Sequence, residues 1–444
     1  MNPSFKFLSR SHLTLLGGAI ATATALTLFV PTSGNSVQAA WSNSPKAIVD
    51  EAWQIINRDY VDGTFNQVDW LNVRQELLSR DYSDPEQAYT AIREAVKRLN
   101  DPYTRFLDPK QFRDLTDQTA GEVTGIGIRL EQDVITKAVR VINPIENSPA
   151  AEVGIRSGDL ILAVDGRSTQ GMTLEVVSGL IRGRVGSSVK ISISRPGVEL
   201  IEFNLVRRQI EVPTVHYTLR QEGNIQVGYI RLDEFGSHAA EQMQKAIQTL
   251  REQKAEAFVL DLRGNPGGLL QASVEIAQMW MDNASVVRTV DRQGTNQEFR
   301  ANRRSLTDLP LAVLVDGRSA SASEILSGAL QDNGRATVIG SQTFGKALVQ
   351  AVNPLSDGSG LAVTIAHYYT PNGTDINKKG ITPDIKVDLT SEDIRRLSLT
   401  PGLIGTIEDP QYQQAVSALT AAALNPSARL ANQQFRIPTN STNN

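Results

Sequence analysis

The chain has 444 residues, too many for one ordinary domain, and 40% of them are hydrophobic, enough to build several cores. Its formal net charge is -4, from 44 basic and 48 acidic residues with no block of one sign, which argues against a nucleic acid or other polyanion as partner. It contains no cysteine, so disulfides, thiolate metal sites and a cysteine nucleophile are excluded.

Residues 1–39 read as an export signal. Lys6 and Arg10 precede an apolar run from Leu13 to Val30, and Val37 and Ala39 stand at the small-residue spacing of a cleavage site. The run approaches spanning length, so an uncleaved anchor is the alternative, and with it peripheral membrane association. Either way the bulk of the protein is expected outside the cytoplasm.

Residues 43–111 predict a small helical unit. Ile48, Ala52, Ile55 and Ile56, then Ile92, Ala95, Val96 and Leu99, recur at three- and four-residue spacing. "SDPE" reads as a capping box with Ser83 as the cap, Pro85 in the first turn and Glu86 reaching back.

From about residue 112 to 205 the pattern changes to short alternating runs punctuated by glycine: "GIGIRL", "VRVINPI", "DLILAVDGRS" and "VKISISRPG". Two helices interrupt them, "SPAAEVG" and "TLEVVSGLIRG", and Asp165-Gly166 marks a tight turn. Taken alone, Gly-x-Gly is no more than a turn leading into a strand. The whole order resembles a PDZ domain. In that family the loop matching Gly125, Ile126, Gly127 and Ile128 offers backbone amides to a peptide's terminal carboxylate, and the peptide adds as a strand.

Residues 209–400 alternate strand and helix. "NIQVGYIRL" precedes "HAAEQMQKAIQTLREQ", "AFVLDL" precedes "GGLLQASVEIAQMW", and "LAVLVD" precedes "SEILSGALQD". "KALVQAVNPL" and "LAVTIAHYYT" around "SDGSG" predict a hairpin, and residues 401–444 a last helix and a polar tail.

Sites in open α/β sheets gather where strands end and helices begin. Two junctions stand out. "VLDLRGNPGG" fits no phosphate loop, and its glycines suit close backbone approach to a substrate, as an oxyanion site requires. On this stretch alone a plain turn capped by Asn265 is an equal reading. "LAVLVDGRSASASEIL" sets serines at the positive end of a helix. By position alone Ser319, Ser321 and Ser323 are capping candidates, Ser323 especially.

A serine nucleophile needs a base, and the four histidines, His12, His216, His238 and His367, all lie outside this stretch. Lys346, in "TFGKALVQ", has no carboxylate among its sequence neighbours, and desolvation would favour its neutral form. Gln350 follows four residues on, able to orient the amine.

"DLRGNPGG", "SASASEILSGALQD" and "TFGKALVQ", in this order behind a PDZ-like segment, resemble the carboxyl-terminal processing peptidases, tail-specific serine proteases with a Ser/Lys dyad. "NDPYTRFL" in the helical unit resembles the same family. The plastid and cyanobacterial branch, which trims the photosystem II D1 precursor, is the nearest likeness. The resemblance implies an α+β multidomain protein: N-terminal helical unit, PDZ domain and crotonase-like α/β protease core. It implies Ser321 as nucleophile, Lys346 as base, Gln350 beside it, and the backbone amides of Gly267 and Ala322 as oxyanion donors. It implies protein substrates with free C-termini, no cofactor, no metal, and a periplasmic or thylakoid-lumen location. A non-catalytic PDZ adaptor or chaperone is the alternative; an acyl-CoA enzyme is disfavoured by export.

Overall fold

The structure is a computed structural model that describes residues 44–424 apart from 134 and 303. The export signal and the polar tail beyond residue 424 lie outside the described residues.

Three helices build the N-terminal unit: Pro45–Asp59, Trp70–Ser79 and Pro85–Lys97. All eight apolar positions expected to face inward are buried. The third helix is capped by Asp84 rather than Ser83. Pro85 fixes the first helical residue, which makes its neighbour the cap, and the Asp84 carboxylate accepts from the Gln87 amide at 3.0 Å. Gln87, not Glu86, reaches back: its carboxamide donates to the Ser83 hydroxyl at 2.7 Å. This core does not close on itself. It packs on Phe106, Leu355, Leu361 and Val363 of a sheet formed mostly by residues far along the chain.

Residue 112, where the pattern changes, falls inside a helix, Pro109–Ala120, which buries none of its residues fully and has only Phe112 and Leu115 as a short apolar face. Gly121 ends it at φ 66°. The chain then enters a five-stranded antiparallel sheet ordered Ile128–Gln132, Val139–Pro144, Leu160–Val164, Ser188–Arg195, Val198–Val206, with a short strand Arg167–Ser168 on the third. The helices Pro149–Glu152 and Leu174–Ile181 cover its core of Val141, Ala150, Ile161, Val177 and Ile191. The paired strands Glu122–Gly125 and Arg208–Glu211 form its two-chain neck.

The C-terminal region holds two sheets. The first runs Val215–Glu222, Ile225–Leu232, Ala257–Asp261, Leu311–Val315, Thr337–Gly340, Ile385–Lys386, antiparallel at its first pair and parallel thereafter. Helices Ala239–Glu252, Leu270–Gln278 and Ala322–Asp332 pack on one face, and Pro410–Leu424 covers the other through Tyr412, Ala415 and Leu419. The expected hairpin is present as Leu348–Pro354 against Gly360–Tyr369. The strand Gly360–Tyr369 also pairs with Arg105–Leu107 and Ser285–Asp291, so it carries the N-terminal unit to the core.

Candidate active site

Both glycine-bearing junctions lie at the ends of neighbouring parallel strands, Ala257–Asp261 and Leu311–Val315, every residue of which is buried. The Asp316 carboxylate ties the two turns, accepting from the amides of Gly264 at 2.9 Å and Ser319 at 3.1 Å. The three serines now separate. Ser319 and Ser323 are fully buried and donate across the junction, to the Leu262 carbonyl at 2.8 Å and the Asn265 carbonyl at 3.0 Å. Ser321 is half-buried and stands immediately before the helix Ala322–Asp332, at φ 56° and ψ -114°. That is a conformation L side chains rarely adopt, held here by the surroundings.

Glu324 does much of the holding. It is fully buried, and its Oε2 accepts from the amides of both Ser321 and Lys346, each at 2.9 Å. Its Oε1 accepts from the Gly345 amide at 2.7 Å and the Thr343 hydroxyl at 2.6 Å. The Tyr368 hydroxyl, from the strand Gly360–Tyr369, bonds the Lys346 carbonyl and lies 3.1 Å from the Ser321 carbonyl. One carboxylate and one phenol thus clip the Ser321 and Lys346 backbones together.

The Lys346 side chain is half-buried, and its ammonium stands 4.7 Å from the centroid of the Tyr103 ring rather than hydrogen-bonding the Ser321 hydroxyl. Burial pushes its pKa below the ordinary lysine value, and the Arg105 charge adds to this; Asp101 and Glu324 oppose it. Gln350 does not reach the amine. The strand begins only at Leu348, and a bulge at Val349/Gln350 breaks the alternation, so its carboxamide turns to the Thr364 hydroxyl at 3.5 Å.

Gly267 comes as close to Ser321 as its composition suggests: at φ 105°, a Cβ there would fall 2.9 Å from the Ser321 Cβ and 3.0 Å from the Ala322 nitrogen. Its own N–H donates to Asn265 Oδ1 at 2.9 Å in this structure. Ala322 is the first helical residue, where amides have no partner within the helix. The histidines work elsewhere. His216 pairs with Asp233 at 3.1 Å, His238 with Glu122 at 3.2 Å, and His367 stands opposite Val290 in the sheet.

At the neck, Gly125, Gly127, Ile128 and Leu130 line one side of a 230 Å³ cleft, and Ser178, Ile181 and Arg182 the other. Gly127 sits at φ 76°, where a Cβ would meet the Ser148 Cβ at 2.2 Å, so glycine is required. Ile126 is wholly buried in the domain core, which leaves only its backbone to face a ligand.

Glu324, Tyr103, Asp101, Arg105 and Tyr368 complete the surroundings of Ser321 and Lys346, and none of them is singled out by the sequence alone. Glu324 had a legible signal, because Ser321-x-x-Glu324 is a capping-box pattern.

A cleft beside the small β domain, and a helix-end serine whose backbone is clipped to that of a desolvated lysine, are the arrangement expected of a serine-type peptidase that carries a PDZ domain. Residues 226–387 match the model of Peptidase family S41, and residues 140–195 that of a PDZ domain. The chain is 42% identical over 371 residues to a carboxyl-terminal-processing protease of Picosynechococcus sp., covering 83% of this chain and 88% of that one. It is 39% identical over 353 residues to a chloroplastic C-terminal processing peptidase of Tetradesmus obliquus, covering 76% of each. A solved photosystem II D1 C-terminal processing protease superposes with a TM-score of 0.52 at 39% identity, covering 78% of this chain and 94% of that one. The chain belongs to peptidase family S41, among the C-terminal-processing peptidases. Its substrates are proteins, and the adaptor reading is not favoured.

Proposed function

We propose that Ser321 is the nucleophile and Lys346 its general base, acting on unfolded C-terminal segments delivered by the PDZ cleft. The observation that carries this is the clip between the two residues: of the three serines, Ser321 alone does not commit its hydroxyl proton to a buried carbonyl, and its backbone shares the Glu324 Oε2 with that of Lys346. Neutral Lys346 takes the hydroxyl proton as Oγ adds to the scissile carbonyl carbon. The amides of Ala322 and Gly267 receive the oxyanion, the latter after leaving Asn265. The lysine ammonium then gives its proton to the departing amine as the C–N bond breaks, leaving an ester on Ser321. Water, deprotonated by the same amine, adds to the ester, and loss of the new C-terminus restores the hydroxyl. Gln350 positions the base loop through Thr364.

The test is the pH profile. Because Lys346 works only when neutral and burial lowers its pKa, kcat/KM is expected to rise with pH through a midpoint below the ordinary lysine range and then level off. Lys346→Arg is expected to be inactive at every pH, since a guanidinium keeps its proton. Activity in that variant sinks the proposal.

We assign capture of the substrate's terminal carboxylate to the amides of Gly125, Ile126, Gly127 and Ile128. Full-length Ser321→Ala protein, which binds without cutting, is expected to hold a peptide acid at least about tenfold more tightly than the matched amide, because charge-assisted hydrogen bonds are lost in the amide. Equal affinities by calorimetry would make the cleft a spacer.

The division into a helical unit at 43–111, PDZ domain at 112–205, protease core at 209–400 and C-terminal helix and tail from 401 is part of this proposal, as are export and a periplasmic or thylakoid-lumen location. Among the described residues no helix is long and apolar enough to cross a membrane. The D1 precursor is the proposed natural substrate, because the solved relative at 39% identity is a photosystem II D1 C-terminal processing protease. Mass spectrometry of the cleaved precursor tail tests it.

A further inference from the structure

We propose that Tyr103 is a positioning residue for the base: its ring parks the Lys346 ammonium away from Ser321, so the N-terminal unit governs when the amine is released to act. This rests on the Ser/Lys reading above and goes beyond it in giving the N-terminal unit a part in the chemistry.

The ring is held in place rather than resting there. Its residue lies in a turn organised by the Asp101 carboxylate, which accepts from the Tyr103 amide at 2.9 Å and from the hydroxyls of Thr104 and Thr364, each at 2.7 Å. The Thr104 hydroxyl in turn accepts from the Thr364 amide at 3.0 Å. Thr364 belongs to the strand Gly360–Tyr369, whose Tyr368 grips the Lys346 carbonyl. The lysine backbone and the ring over its amine are therefore fixed to one strand.

An aromatic face attracts an ammonium and has no comparable hold on a neutral amine. Loss of the proton thus frees Nζ for the serine, and charge and position change together. The charged and titratable groups around the amine are Asp101 and Arg105 from the same segment, Glu324 from the helix Ala322–Asp332, and Tyr368. Burial and Arg105 favour the neutral amine, Asp101 and Glu324 the charged one. The ring adds to the second group.

The experiment is steady-state cleavage of a fluorogenic peptide by the full chain between pH 5 and 10, for Tyr103→Leu, Tyr103→Phe and Lys346→Arg. Tyr103→Leu removes the π face but keeps apolar bulk. Its kcat/KM midpoint is expected to move down by about half a pH unit, raising the rate below the midpoint about threefold. Tyr103→Phe keeps the face and is expected to keep the wild-type midpoint. A Leu profile lowered evenly at an unchanged midpoint would mean a purely structural residue and overturn the inference. So would equal shifts in Leu and Phe, which would assign the effect to the hydroxyl. With Lys346→Arg inactive, either result refutes Tyr103 alone; an active Lys346→Arg brings down the Ser/Lys reading and this inference with it.

Discussion

Ser321→Ala is expected to lower kcat by at least about 10⁴-fold, because no other group can supply the acyl-accepting oxygen. The fold should survive. Ala keeps the Cβ, and the hydrogen bond that shapes the turn, from the Ser321 N–H to the Glu324 carboxylate, involves only backbone on the serine side. Ser321→Gly makes a sharper companion. Glycine accepts φ 56° without penalty, so this variant should be equally inactive yet more stable by about 1 kcal/mol in urea unfolding. Ser319→Ala and Ser323→Ala should behave in the opposite way. Each removes the donor to a buried carbonyl, at Leu262 or Asn265, costing about 1–3 kcal/mol of stability while the folded fraction still cleaves. An inactive Ser323→Ala beside an active Ser321→Ala would reverse the assignment of the nucleophile.

Arg263→Met is expected to produce the largest loss of stability. The guanidinium is buried between two carboxylates that are wholly inaccessible, bonding Asp261 at 2.6 Å and Asp409 at 2.7 Å. Asp261 also accepts from the Tyr229 hydroxyl at 2.7 Å, and Asp409 from the Gly405 amide at 3.0 Å. The cluster joins the DLRGN turn to the start of the C-terminal helix. Removing the cation that bonds both carboxylates strands two buried negative charges, an expected cost of about 3–5 kcal/mol. The pH dependence gives an independent check. Burial pushes the Asp261 pKa up, but Arg263 and the hydrogen bonds outweigh it and hold it below the ordinary value. In the wild type this carboxylate therefore contributes stability above its unfolded pKa, lost as pH falls through the folded one. In Arg263→Met the stabilising partner is gone, so the deficit should be greatest at neutral pH and shrink on acidification. Urea unfolding at pH 8 and pH 5 measures both quantities. A deficit below about 1 kcal/mol at pH 8 would mean that the cluster is dispensable.

Local pattern determined much of this protein. The helical periodicity of Ile48 to Leu99, the Asp165-Gly166 turn at φ 49° and 75°, the hairpin around Ser356 to Gly360 and the strand-to-helix alternation of the core are all present in the structure. Each depends on residues a few positions apart, whose side-chain period or turn preference is legible before folding. Ser321 and Lys346 could be singled out because they stand at a helix end and among apolar neighbours. Tertiary structure alone decided which serines are structural, since the partners of Ser319 and Ser323 lie more than fifty residues upstream on the neighbouring turn. It also turned Gln350 away from the amine through a bulge, and satisfied the Gly267 amide with Asn265. The surroundings of Lys346 were the least legible of all. Asp101, Tyr103 and Arg105 reach it because Arg105–Leu107 pairs with Gly360–Tyr369, a contact spanning most of the folded chain. Strand pairing at that separation is selected by the packing of whole units, and no short stretch of sequence encodes it.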